Sequence, residues 1–198
     1  MKCIMLFIIL LLVGCSFGSN DNEKITTTTT TTIKGQEKAY TKPVEDFPLQ
    51  SGFYFGKPTE NGIHNGVDYK AVYGKNVYSI LDGVIYDSGE HNGFGSINPD
   101  TKGGAIIVKY QYKDKKFYVI YGHLVRKIRD VSFGGSPYTT VSKGQLIGTI
   151  NNFKYEGTPS PHLHLGVYKG ESFPSIGWGY GTTSNWDDPY AYFENNIK

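Results

Sequence analysis

Residues 158 to 168 read TPSPHLHLGVY. Their alternation decides the fold, because successive side chains of a strand point to opposite faces. Leu163, Leu165 and Val167 fall on one face, and His162 and His164 on the other. Such a strand lies on an apolar core and carries two imidazoles in one patch on its far side. With five histidines in 198 residues, one His-x-His pair arises by chance about 0.1 times. The patch therefore gains meaning only with a partner elsewhere in the chain.

Working outward, short runs rich in Val, Ile and Tyr recur between clusters of Gly, Asn, Asp and Pro: NVYSIL at 76, GVIYD at 83, GAIIVKYQY at 104, KFYVIYG at 116 and QLIGTI at 145. This is strand chemistry, and no stretch keeps a helical period for more than two turns. KYQYKDKKFYVIY predicts a hairpin, with strands over 105 to 112 and 117 to 121 around the charged turn Lys113 to Lys116. The spacing predicts an all-β domain over residues 47–198, a small antiparallel sandwich or barrel-like structure. The Gly-rich stretches 87 to 104 and 130 to 140 read as long surface loops, a length often tied to function.

The net charge of +2 provides no basic stripe or arginine-rich arm of the kind nucleic acid requires. Both cysteines, Cys3 and Cys15, lie at the amino terminus. The folded part thus has neither a disulfide nor a thiolate metal site, and a metal there must be held by histidine and carboxylate. MKCIMLFIILLLVGC carries Lys2 ahead of an apolar run, Ile4 to Val13, too short to span a bilayer core of about 30 Å. Residues 1–14 read as a secretory signal. LVGC at 12 to 15 resembles the lipobox of bacterial lipoproteins, which implies acylation of Cys15 and a membrane anchor through that lipid. Residues 15–46, with seven threonines at 26 to 32, are polar enough to serve as a disordered tether.

NGIHNGVDYK at 61 to 70 places Asp68 four residues after His64. The two Asn-Gly pairs argue for a turn leading into a strand rather than a helix. A histidine with aspartate at this spacing, together with the His-x-His pair, is expected by chance only about 0.03 times.

His-x-x-x-Asp followed some hundred residues later by His-x-His resembles the lysostaphin-type zinc peptidases, the M23 family or LytM-like domains. YGHL at 121, VSKGQLIGTI at 141, NVYSILDGVIY at 76 and DDPYAYF at 187 resemble further segments of that family, so the likeness runs over roughly residues 50 to 193. It implies an antiparallel β fold with a substrate groove, one Zn2+ per chain held by His64, Asp68 and His164, and two non-ligating catalytic histidines, His123 and His162. Strand geometry alone does not choose between His162 and His164 as ligand. The family usually continues His-Leu-His with an aromatic residue and a glutamate, where this chain has Leu165 and Gly166.

Two imidazoles and one carboxylate leave zinc an open position, the pattern of catalytic rather than structural sites. The chain has no His-Glu-x-x-His, so histidine must replace the glutamate base of commoner zinc peptidases. His91, in GEHNGFG, has no partner at ligand spacing and reads as an exposed loop residue. Tyr54, Tyr69, Tyr155 and Tyr180 are candidates for an aromatic groove wall.

The resemblance implies an exported zinc metalloendopeptidase of the cell envelope, acting on peptide cross-links or stem peptides of bacterial peptidoglycan. The alternatives are a catalytically silent peptidoglycan-binding or hydrolase-activating module, and a zinc carboxypeptidase that trims D-Ala termini. No motif selects the bond cut, the membrane that carries the anchor, or an oligomeric state.

Overall fold

The alternation read in the sequence carries through the computed structural model, which describes residues 38 to 198 apart from 92, 95–102, 133, 135–138, 156–157 and 175–178. The chain divides into two units, Met1–Gly35 and Gln36–Lys198. The signal segment, Cys15 and the threonine run fall outside the described residues.

The described residues form strands β1 (Pro58–Thr59), β2 (Gly62–His64), β3 (Val67–Lys70), β4 (Asn76–Tyr78), β5 (Gly83–Gly89), β6 (Gly103–Tyr112), β7 (Lys115–Arg126), β8 (Thr140–Val141), β9 (Leu146–Ile150), β10 (Lys154–Tyr155), β11 (Thr158–Pro159), β12 (His162–Tyr168), β13 (Tyr180–Gly181) and β14 (Trp186–Asp187), and one helix, α1 (Pro189–Asn196). Nine strands join in one antiparallel sheet whose main path runs β14-β12-β7-β6-β5-β8, with β3 on β12 and β9 on β7 and β4. The all-β architecture is as expected, and the sheet stays open rather than closing into a barrel. The strands β1, β2 and β13 make a separate small sheet.

Each long strand sorts its side chains between two cores. Phe117, Val119 and Tyr121 of β7, Ile106, Val108 and Tyr110 of β6, and Leu163, Leu165 and Val167 of β12 enter the larger cluster. Tyr118 and Ile120 of β7 and Ala105 and Ile107 of β6 enter the smaller one on the opposite face. Full burial of an aliphatic side chain contributes about 1.5–3 kcal/mol, and a one-residue slip would reverse every side chain of a strand, so this pattern fixes the register.

The hairpin is tighter than the sequence implies. Tyr112 pairs with Lys115, leaving a turn of Lys113 and Asp114, with Lys113 in the left-handed region at φ 54°. The expected loop at 87 to 104 is also shorter, since β5 runs to Gly89 and β6 starts at Gly103. Ser88 makes a bridge with Val131, which draws in the start of the other expected loop.

The segment assigned to the tether up to residue 46 packs on the domain from residue 38 onward. Tyr40 and Val44 are buried in the larger core, Thr41 N donates to Ile80 O and Tyr78 N to Pro43 O, and Gln50 bridges to Tyr69 on the outer side of β3. The strap covers strand edges that would otherwise expose unpaired backbone groups. Lys38 and Tyr40 bond Glu194 of α1, each at 2.5 Å. The helix begins where Asp188 accepts from Ala191 N at 2.9 Å and Pro189 fills its first position, a favoured start.

Candidate active site

His64 ends β2 in the small sheet, while Asp68 sits in β3 of the large one. Asn65 and Gly66 make the turn between them. Glycine is required here: a Cβ at 66 would stand 2.5 Å from Leu165 O and 2.7 Å from His164 Nε2. On the neighbouring strand His164 pairs directly with Asp68, and Leu165 with Val67. The apolar partners bury in the larger core, so the acid and the imidazole are turned together to the opposite face.

The donors converge. His164 Nδ1 lies 3.1 Å from Asp68 Oδ1 and 3.1 Å from His64 Nε2, and His64 Nε2 lies 3.3 Å from Asp68 Oδ1. All three residues are buried. His64 Nδ1 stands 3.2 Å from the Tyr54 carbonyl oxygen, which can only accept, so the ring carries its proton there and turns a bare Nε2 inward. One N–H on His164 cannot serve both remaining acceptors; a cation can. A zinc ion with ligands at about 2.0–2.1 Å in tetrahedral geometry needs its donors roughly 3.3 Å apart. The triangle fits, and it is the one group of metal-ligating side chains found among the described residues.

Burial, the largest influence on Asp68, pushes its carboxyl up, but hydrogen bonds from His164 and His64 and the nearby imidazoles of His162 and His164 together hold it well below the usual carboxylate range. Burial lowers His164 despite its bond to Asp68. The arrangement is thus a carboxylate facing a buried His164 imidazole whose protonated form is disfavoured, the state in which these two groups ligate a metal.

His162 and His123 stand beside this triangle. His162 precedes His164 on the same face of β12; its Nδ1 donates to Ser160 O at 2.7 Å, and its Nε2 lies 3.5 Å from Asp68 Oδ2. The His123 ring centre is 4.4 Å from that of His162. Burial, and then the nearby His162 and His164, push His123 well below the ordinary histidine range.

Its placement depends on a bulge. Strict alternation along β7 would put His123 with Tyr121 in the larger core. Instead Gly104 pairs with Leu124 and Ile106 with Tyr121, so Gly122 and His123 together oppose the single residue Ala105. His123 takes φ 59°, Leu124 moves into the larger core, and the imidazole swings to the face of His162 and His164. Here β7 also changes neighbour, from β12 to β9.

A cavity of about 150 Å³ opens over the group, walled by Phe53, Phe94, Phe153 and Tyr180. Phe153 lies 4.2 Å from the His123 ring and 5.3 Å from His162. A larger hollow of about 700 Å³ lies elsewhere, against β5, β6 and β8; its lining residues include no histidine, so the smaller cavity is the candidate site.

All five histidine and aspartate positions singled out in the sequence, His64, Asp68, His123, His162 and His164, therefore meet at one place. Of the tyrosines, Tyr180 stacks against His64 at 5.3 Å. Tyr54 contributes its carbonyl while its side chain is 52% exposed, and Tyr69 is fully buried in the larger core instead of on a groove wall. The Tyr155 side chain lies outside the described residues. His91 is not a free loop residue, for it bonds the buried Asp87. Sequence reading missed the phenylalanine walls, and nothing in their spacing distinguishes them from core residues.

Compared with known proteins, residues 62–174, more than half of the chain, match the sequence model of peptidase family M23. Similar solved structures include lysostaphin from Staphylococcus simulans, at 24% identity and TM-score 0.49 over 74% of this chain and 50% of that one. Its catalytic domain gives 24% identity and TM-score 0.47 over 71% of this chain and 88% of that one. A zinc-containing peptidase from Vibrio cholerae gives 21% and 0.39 over 64% of this chain and 36% of that one. The chain spans about half the length of the full lysostaphin. No curated protein matches it.

Proposed function

The chain belongs to peptidase family M23, and from that premise we propose that it is a zinc metalloendopeptidase that hydrolyses peptide cross-links or stem peptides of bacterial peptidoglycan. The observation that carries this reading is the triangle of His64 Nε2, Asp68 Oδ1 and His164 Nδ1, with sides of 3.1 to 3.3 Å and two further imidazoles within reach of the same cavity.

His64, Asp68 and His164 would hold the zinc, which when bound would supply Lewis acidity toward a carbonyl and toward water, whose pKa such a metal lowers to about 7. The remaining work falls to the chain's own side chains. His162, its Nδ1 proton committed to Ser160 O, presents Nε2 to the cavity as a proton acceptor. His123, neutral through burial, is a second base. Together they orient the attacking water, accept its proton and hydrogen-bond the oxyanion as the amide carbon becomes tetrahedral. Phe153 packs against both rings and restricts their motion. Acylation at Cys15 would hold the enzyme at the membrane beneath the wall it cuts.

The test is made on the chain from Gln36 onward: zinc per chain, and mass spectrometry of peptidoglycan digested with and without a chelator. One zinc and new, chelator-sensitive amide ends are expected, and their masses identify the bond. Zinc without cleavage of any wall preparation would sink the enzymatic reading in favour of a binding module.

A further inference from the structure

We propose that Asp87 and His91 form a latch that positions Phe94, and through it His123 and His164; the proposal rests on the reading of those two histidines as working parts of the site. Asp87 is buried on β5, opposite Ile107, on the sheet face that carries the cavity. A buried carboxylate needs a partner, and its Oδ2 accepts from His91 Nε2, whose side chain is 22% exposed. The contact folds the chain back over Gly89, where a Cβ would already stand 3.4 Å from His91 Nε2.

From His91 the chain turns at once into the site. Phe94 N donates to His91 O at 3.1 Å, with Gly93 in the left-handed region at φ 87°. The Phe94 ring, 5% exposed, then lies 5.1 Å from the His164 ring and 5.4 Å from that of His123. Its seat is a notch in the sheet: a Cβ on Gly122 would come within 2.4 Å of Phe94 Cδ1, and one on Gly179 within 3.3 Å of Cζ. One ring thus packs on a metal-ligand candidate and on a base candidate together. His91 sits three residues before Phe94 in the chain. Losing the latch frees Phe94 and lets both imidazoles drift, and displacements of about 1 Å at a reacting centre cost up to about 10²-fold in rate.

The experiment compares the zinc-loaded full chain in detergent with His91→Ala, His91→Gln, Phe94→Ala and the double variant His91→Ala/Phe94→Ala, all carrying 15N-histidine. Besides zinc per chain, kcat and KM, the imidazole resonances are read directly. His91→Ala should shift the His123 and His164 signals in the same sense as Phe94→Ala and lower kcat about 10-fold, with KM and zinc content held. His91→Gln, whose amide can donate to Asp87, should restore both. The double variant should match Phe94→Ala alone. Unmoved His123 and His164 signals in His91→Ala, or an equal further shift in the Phe94→Ala background, overturn the latch. If His91→Ala does not fold, Asp87→Asn is judged by the same resonances. Absence of cleavage by the unmodified chain would refute the peptidase reading while the resonances still decide the latch.

Discussion

Asp68 and His164 face each other across two antiparallel strands, and their oxygen and nitrogen meet at 3.1 Å. The neighbours on either side, Val67 and Tyr69 on one strand and Leu163 and Leu165 on the other, are all fully buried in the larger core. The same alternation that holds the register therefore sets the donor spacing, and the site inherits the rigidity of the sheet rather than that of a loop.

Ligand and base roles separate by metal analysis. Replacing His64, Asp68 or His164 by Ala should abolish both zinc content and peptidase activity. His123→Ala should keep one zinc per chain and lower kcat by about 10²–10⁴, because its ring adjoins the triangle without being one of its corners. Zinc loss in His123→Ala would overturn the assignment.

The metal-free domain should lose stability in mild acid. His123 and His164 are both pushed below the ordinary histidine value of 6.5, chiefly by burial. Below that pH the unfolded chain binds protons that the folded chain refuses, so stability is fully present above 6.5 and is lost as pH falls through the lowered folded values. Asp68, also lowered from its usual 3.8, adds a loss of the same sign at still lower pH. Urea midpoints at pH 7.5 and pH 5 check this; equal midpoints would refute it.

Much of the architecture was legible because it rests on period two. The strands and the two faces of β12 follow from residue alternation and the turn after His64 from its Asn-Gly pair, whereas the grouping of His64 and Asp68 with His164 was implied by the family resemblance and not by strand geometry. What escaped has a common cause: it depends on departures from period two or on contacts far apart in sequence. The bulge that redirects His123 leaves no mark in YGHL, since left-handed backbone at histidine is set by the partner strand. The strap fails to show because Tyr40, Val44 and Phe47 are too sparse to form a pattern, though all three are buried. The helix escaped the sequence reading because it spans only eight residues, too few to display a helical stripe.

The strap yields a boundary prediction. A chain beginning at residue 47, where composition alone would cut, lacks Tyr40 and Val44, which are 5% and 0% exposed. At about 1.5–3 kcal/mol for each buried side chain, it should be destabilised by roughly 3–6 kcal/mol relative to one beginning at Gln36. Denaturant unfolding of the two chains measures the difference, and similar stabilities would mean that the strap only rests on the surface.

Position 166 should explain why this chain departs from its family after His-Leu-His. Gly166 follows Leu165 on the histidine face of β12, and there the Trp186 ring closes over it: a Cβ would lie 3.1 Å from Trp186 Cζ3 and 3.1 Å from Asn65 O. Trp186 is 6% exposed and packs with Phe173 and Tyr168 in the smaller core, so it has little room to retreat. Restoring the family residue with Gly166→Glu would push a carboxylate against that indole, at the apolar surface of the smaller core. The overpacking term alone is typically 1–3 kcal/mol, and burial of the charge adds to it. Gly166→Glu should therefore melt well below the unmodified chain. In the double variant Gly166→Glu/Trp186→Gly, which vacates the space, the glutamate should add little to the loss caused by Trp186→Gly alone. Thermal unfolding of the four chains forms the cycle, and additive losses would show that indole and glutamate do not compete for the same volume.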